Sequence, residues 1–132
     1  MADRELLKAA ARAAGINTDP LTGDARMLNG PDGKEVLYFH NGARSHPMCR
    51  QPNEPGNVPW DPLADDGDAL RLAVRLRIDI RHWDGPLRIS AEHPDIPENT
   101  CMQETLGGPM WATRRAIVRA AAAMAPKEKT NA

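Results

Sequence analysis

The sequence predicts an α+β fold, a single-domain sandwich in which a small antiparallel sheet made of two hairpins is packed with about three α-helices. Three observations carry that expectation. Apolar residues recur at the helical period over 3–14, 66–77 and 110–124. Two pairs of short apolar runs flank Asn-Gly and Asp-Gly signals, whose tolerance of positive φ closes hairpins. The 132 residues suffice for one core and not two, and with only Tyr38, Phe39, Trp60, Trp83 and Trp111 as aromatics that core must rest on aliphatic side chains and alanines.

Taken in order, Asp3 is placed to cap the first helix, Leu7, Ala10, Ala11 and Ala14 form its apolar stripe, and Gly15 ends it with Ile16 behind. Residues 17–24 read as loop, and Arg26–Leu28 and Glu35–Phe39 as strands around Asn29-Gly30-Pro31-Asp32-Gly33-Lys34. Residues 41–59 hold four prolines and no periodicity, a long loop of the kind that is functional or disordered. Asp65 or Asp66 caps the second helix, with Ala69, Leu70, Ala73, Val74 and Leu76 expected inward and Asp68, Arg71 and Arg75 in water. Its early aspartates and late arginines complement the helix dipole.

Ile78–Trp83 and Pro86–Ala91 flank Asp84-Gly85. A two-residue turn there pairs His82 with Leu87, Arg81 with Arg88, Ile80 with Ile89 and Ile78 with Ala91, setting two arginines face to face. That face would meet water, a carboxylate or an anion. Residues 92–109 form a second long loop, and Pro109 stands at the start of the third helix, whose Ala112, Ala116, Ile117, Ala120, Ala121 and Met124 share one face. The domain is expected to span 1–125, with 126–132 a solvated tail.

Two segments have relatives. Trp60–Ile80 (WDPLADDGDALRLAVRLRIDI) and the run ATRRAIVRAAAAM after Trp111 resemble small uncharacterised proteins of tailed phages and prophages, where the wording is W-N-P-L-x-D-D-G-D-A-L-R-L-A-V-x-L and A-T-R-R-A-I-V-R-A-A-A. Asp61 stands where Asn is usual, and Ala64 fills the variable position; ELLKAAARAAGI near the start is also similar. The resemblance implies an ABA sandwich, helices on both sides of a small antiparallel sheet, in a phage or prophage protein. It brings no catalytic residue with it.

Chemical signatures are absent from the sequence: no Gly-rich phosphate loop, G-x-S-x-G or CxxC pair occurs. Asp61, Asp65, Asp66 and Asp68 could attract a hard cation, but their spacing is not that of an EF-hand and capping accounts for at least one of them. His40, His46, Cys49, His93 and Cys101 are zinc-ligand types without a repeated tight pair, and nothing local supports Cys101 with His93 or His40 as nucleophile and base. No metal, cofactor or catalytic residue is therefore assigned, and no enzyme is expected. The cysteines are expected to be free thiols in a reducing cytosol.

The candidate ligand-binding residues are Arg81, Arg88, Arg114 and Arg115, with Arg119 beside them, because guanidinium groups grip phosphates bidentately; Trp60 and Trp111 could line a cleft. The competing account is a solvated face with surface ion pairs. The net charge of −1 argues against nucleic acid, and no run is long enough to cross a membrane, which places the protein in the host cytoplasm. The leading expectation is a non-enzymatic phage or prophage accessory protein that binds a host component through its two long loops, as in countering host defence. The alternatives are a protein that sequesters a nucleotide-type signal and a nucleic-acid binder. Exposed strand edges, that of Pro86–Ala91 among them, leave a homodimer by strand addition open.

Overall fold

Helical periodicity and hairpin signals both materialise, but the hairpins belong to different sheets. The computed structural model describes residues 2–49, 56–83, 87–98 and 100–126. Its elements are α1 (Asp3–Ala13), β1 (Ala25–Asn29), β2 (Glu35–Phe39), β3 (Val58–Trp60), α2 (Asp66–Leu76), β4 (Asp79–Trp83), β5 (Arg88–Glu92), β6 (Met102–Glu104) and α3 (Pro109–Met124), with single 3₁₀ turns at Asn41–Ala43 and Thr105–Gly107. The α+β class and the three helices stand. Each hairpin recruits a third antiparallel strand from a segment read as loop: β3 joins β2 and β6 joins β5, giving sheets ordered β1-β2-β3 and β4-β5-β6. Three residues are too few to show alternation, and Pro59 inside β3 disguises it; an edge strand is where a residue without an N–H is tolerated.

Helix α1 ends as expected. Gly15 takes φ +81°, and the N–H groups of Gly15 and Ile16 close on the carbonyls of Arg12 and Ala11 at 3.1 and 2.9 Å. Its start differs: Ala2 occupies the cap position without a side-chain bond, and Asp3, already inside the helix, accepts from Arg115 Nη1 at 3.0 Å. Helix α3 packs against α1, α2, β5 and β6, and its Ala112, Ala116, Ala120 and Ala121 are fully buried. Small side chains let it run close to its neighbours while Leu7, Phe39, Trp60, Leu72 and Val118 fill the interior.

Helix α2 is rotated from the expected setting. Asp68, Ala69, Leu72 and Ala73 are buried, whereas Leu70 and Val74 are 64% and 69% exposed. Its apolar residues wrap too far round the axis for one core face, so two stripes compete. The stripe through Ala69, Leu72 and Ala73 wins because it carries Asp68 inward to hydrogen-bond partners. The helix ends with Arg77 at φ 57°, ψ 45°, in the left-handed region where glycine is the usual occupant.

In the β4–β5 pair the register is two residues from the expected one: Trp83 faces Arg88, His82 faces Ile89, Arg81 faces Ser90 and Ile80 faces Ala91. Arg81 is thus opposite a serine, not Arg88. This register relieves the like-charge contact and lets Trp83 Nε1 donate to Ser90 Oγ at 2.8 Å, with the Arg81 guanidinium 4.2 Å from the Trp83 ring centre. Strand β5 is central, so the exposed edges are β4 and β6 rather than the Pro86–Ala91 run. The Asp84-Gly85 turn, residues 50–55 of the first long segment and the tail from 127 onward lie outside the described residues.

Candidate functional site

The aspartate-rich turn that heads α2 is a closed network of backbone and side-chain bonds. Asp61 Oδ1 accepts the Leu63 N–H at 3.1 Å, and the Asp61 N–H donates to Asp68 Oδ2 at 2.9 Å. Asp65 caps the helix, accepting the Asp68 N–H at 2.8 Å, and Arg71 Nη2 reaches Asp68 Oδ1 at 2.9 Å and Asp65 at 3.8 Å. A Cβ on Gly67 would stand 3.0 Å from Arg71 Nη2 and 3.2 Å from Asp65 Oδ2, so glycine leaves room for that pair. Burial pushes the Asp61 carboxyl above the usual carboxylate range despite the Leu63 N–H bond.

The second recognisable segment is fastened to the first. Arg114 Nε donates to the Leu63 carbonyl at 2.9 Å, and Nη1 meets Asp66 Oδ1 at 2.6 Å. Arg115 holds Asp3 of α1, and Arg119 reaches the carbonyls of Thr100 and Met102 at 3.2 and 3.1 Å and Gln103 Oε1 at 2.5 Å. Arg114, Arg115 and Arg119 thereby tie α3 to the head of α2, the start of α1 and the strand β6.

The residues nominated from the sequence do not converge on one place. Trp60 ends β3 in the core with no exposed surface, its Nε1 buried without a partner among the described residues. Trp111 is exposed in the first turn of α3, with Arg115 5.6 Å from its ring centre. Arg81 and Arg88 share one face of the β4–β5 pair, where Arg81 reaches Glu98 at 3.4 Å and Arg88 the Met102 sulfur at 3.8 Å. Arg114 and Arg115 are committed to Asp66 and Asp3.

The other titratable candidates also serve the scaffold. His40 and His46 accept the N–H groups of Gly42 and Met48 at Nδ1, leaving Nε2 to donate to the carbonyls of Gly23 and Gly15 at 2.9 and 3.3 Å. His93 Nδ1 accepts from the Asp95 N–H. Cys49 and Cys101 are buried and unlinked, and burial raises the Cys101 thiol. Among the described residues no group of three or more His, Cys, Asp and Glu side chains is gathered as a metal site, and no helix is long and apolar enough to cross a membrane.

The surface that stands out is apolar. Leu70 (64% exposed), Val74 (69%), Met110 (53%) and Ile80 (36%) are large hydrophobic side chains in water. A hollow of about 250 Å³ between α2, the start of α3 and β4 is lined by Ala69, Leu70, Ala73, Ile80, Met110 and Ile117, with Asp66, Thr113 and Arg114 at its rim. Leu70 also borders a wider depression of about 440 Å³ with Pro47, Met48 and Val74, flanked by Arg71 and Arg75. The two hollows form one apolar face about a central leucine. Sequence reasoning placed Leu70 and Val74 inside; the signal that could have found them is the width of the apolar arc on α2, broader than a single core contact needs.

Comparisons of the chain with family models, with curated proteins and with solved structures find no match.

Proposed function

We propose that the protein is a non-enzymatic binding protein that docks an amphipathic helix of another protein on the face formed by α2, β4 and the start of α3. The observation that carries the reading is the exposure of Leu70, Val74, Ile80 and Met110 around two hollows that share Leu70. Contiguous exposed apolar surface is costly in water and marks interaction sites. A hollow between two helices receives the i, i+3, i+4 anchors of a third.

Charge at the rim supports an acidic flank on that partner. Arg71 and Arg75 flank the wider hollow; Arg71 is offset by Asp68, but the only hydrogen bond Arg75 makes among the described residues is to the Ala14 carbonyl at 2.8 Å. An acidic edge on the partner would meet the Arg75 charge. The resemblance of Trp60–Ile80 and of the α3 segment to phage and prophage proteins supports a host protein as the partner. The nucleic-acid reading loses its main cations, since Arg114, Arg115 and Arg119 are occupied within the fold.

The test compares the wild-type protein with Leu70→Glu/Val74→Glu, both immobilised in host-bacterial lysate. Both side chains lie in water, so the fold should tolerate the change. A stoichiometric protein retained by the wild type and lost by the variant is the expected result, with cross-links mapping to α2. Identical retention on both, or none on the wild type, overturns the proposal. So does concentration-dependent dimerisation that the variant abolishes, since the face would then be covered by a second copy.

A further inference from the structure

Strand β4 is an open edge of the second sheet. Its ladder with β5 runs from Asp79 to Trp83 without a proline or a bulge, and no other backbone hydrogen bond among the described residues reaches it. The N–H and C=O groups on its outer side can therefore template another strand. Asp79, Ile80, Arg81 and His82 are exposed, so neither face of the edge is closed over. The other edge, β6, is only three residues long, and Arg119 takes its Met102 carbonyl. Charge along β4 is poorly balanced within the chain. Asp79 stands directly opposite Glu92 on β5, a like-charge pair that is destabilising, and the Asp79 carboxylate has no hydrogen bond or ion pair among the described residues. Arg81, two residues on and on the same face, holds Glu98 at 3.4 Å with both side chains largely in water, which leaves its guanidinium with donors to spare.

We infer that the protein forms a two-fold dimer by pairing β4 antiparallel with β4 of a second copy, centred on Ile80. A two-fold axis normal to the sheet keeps each face on its own side, so only like-facing residues can meet and the centre must fall on a residue. Centring on Asp79 or on Arg81 sets that charge against itself, and centring on His82 leaves Asp79 and Ile80 beyond the end of the partner strand. Centring on Ile80 places Asp79 of each copy opposite Arg81 of the other and lets the two Ile80 side chains meet. Across the joined sheets one face then reads Glu92, Asp79, the partner's Arg81 and the partner's Ser90, so a cation arrives beside the two carboxylates that repel. The pairing joins two three-stranded sheets into one. A seam of one strand edge is small, and its dissociation constant is expected in the micromolar range. Strand addition is lateral and uses neither Leu70 nor Val74, so this association is independent of the α2 face.

Sedimentation velocity of the full chain from about 1 µM to about 1 mM should show a reversible monomer–dimer equilibrium. The amides of Asp79–Trp83 should exchange more slowly with deuterium as concentration rises. Arg81→Asp and Asp79→Arg each put like charges across the seam and should weaken association at least about tenfold. An equimolar mixture of those two variants restores opposite charges at both contacts and should form a heterodimer within about threefold of wild-type strength. Circular dichroism and Tm check the fold of each variant; if Arg81→Asp disturbs it, Arg81→Gln carries the single-variant measurement. Leu70→Glu/Val74→Glu should dimerise as the wild type does. A monomer throughout the range, association indifferent to either charge reversal, a mixture no tighter than its components, or a dimer lost with Leu70→Glu/Val74→Glu overturns the inference.

Discussion

Removing the Asp68 carboxylate tests the network at the head of α2 most directly. The side chain is fully buried, accepting the Asp61 N–H and the Arg71 guanidinium, each at 2.9 Å. In Asp68→Ala the Asp61 N–H is left buried without its acceptor, a desolvation cost of about 1–3 kcal/mol. The Arg71 side chain is 37% exposed, so solvent screening reduces that arm to about 0.5–1 kcal/mol. The sum is about 3 kcal/mol, which for a chain of this length lowers Tm by about 10 °C. Urea unfolding gives the free energy, and calorimetry gives Tm. Asp68→Asn, which keeps an acceptor for the Asp61 N–H, should cost less than the alanine. A double-mutant cycle with Arg71→Ala should return a coupling of about 0.5–1 kcal/mol. A loss below about 1 kcal/mol in Asp68→Ala would refute the view that this carboxylate organises the turn.

Asp61→Asn should stabilise the protein at neutral pH: burial raises the carboxyl's folded-state pKa, so its contribution is present at low pH and lost as pH climbs through that value. The gain in unfolding free energy should therefore vanish in acid, and an equal gain at pH 3 and pH 7 would contradict it. Arg77→Gly relieves a left-handed backbone (φ 57°), and since glycine's extra unfolded-state entropy offsets part of that, a net rise of about 0.5–1 kcal/mol is expected in urea unfolding. Arg114→Ala removes bonds to the Leu63 carbonyl and Asp66 from a side chain only 17% exposed, and should cost about 1.5–2 kcal/mol; unchanged stability would return Arg114 to the list of residues free for a ligand.

What was legible in the sequence is what depends on local order. Periodicity located all three helices within a residue or two of their ends, and Gly15 marked a stop that the αL geometry confirms. The Asp65 cap could be read from the chain because it bonds a group three residues away. Long-range choices could not be read. Which apolar stripe of α2 turns inward depends on Asp68 finding Asp61, and the β4–β5 register depends on Trp83 finding Ser90. Strands β3 and β6 exist through their partners, β2 and β5, and carry no signal of their own. For the candidate site, Arg114, Arg115 and Arg119 sit on a helix whose partners consume them, while Leu70, Ile80 and Met110 come from α2, β4 and α3 and form one apolar surface only once those elements pack.

The placement of α3 sets a timetable for the chain's own synthesis. It is the last of the described elements, and it covers α1, α2 and the second sheet, with Arg115 holding Asp3 across 112 residues. At about 5–20 residues per second a ribosome leaves the apolar stripe of α1 without its partner for on the order of 10 s. Until α3 emerges, α1, α2 and the second sheet lack the element that joins them. A premature stop before Pro109 would remove the keystone and leave α1, α2, β5 and β6 without the helix they share.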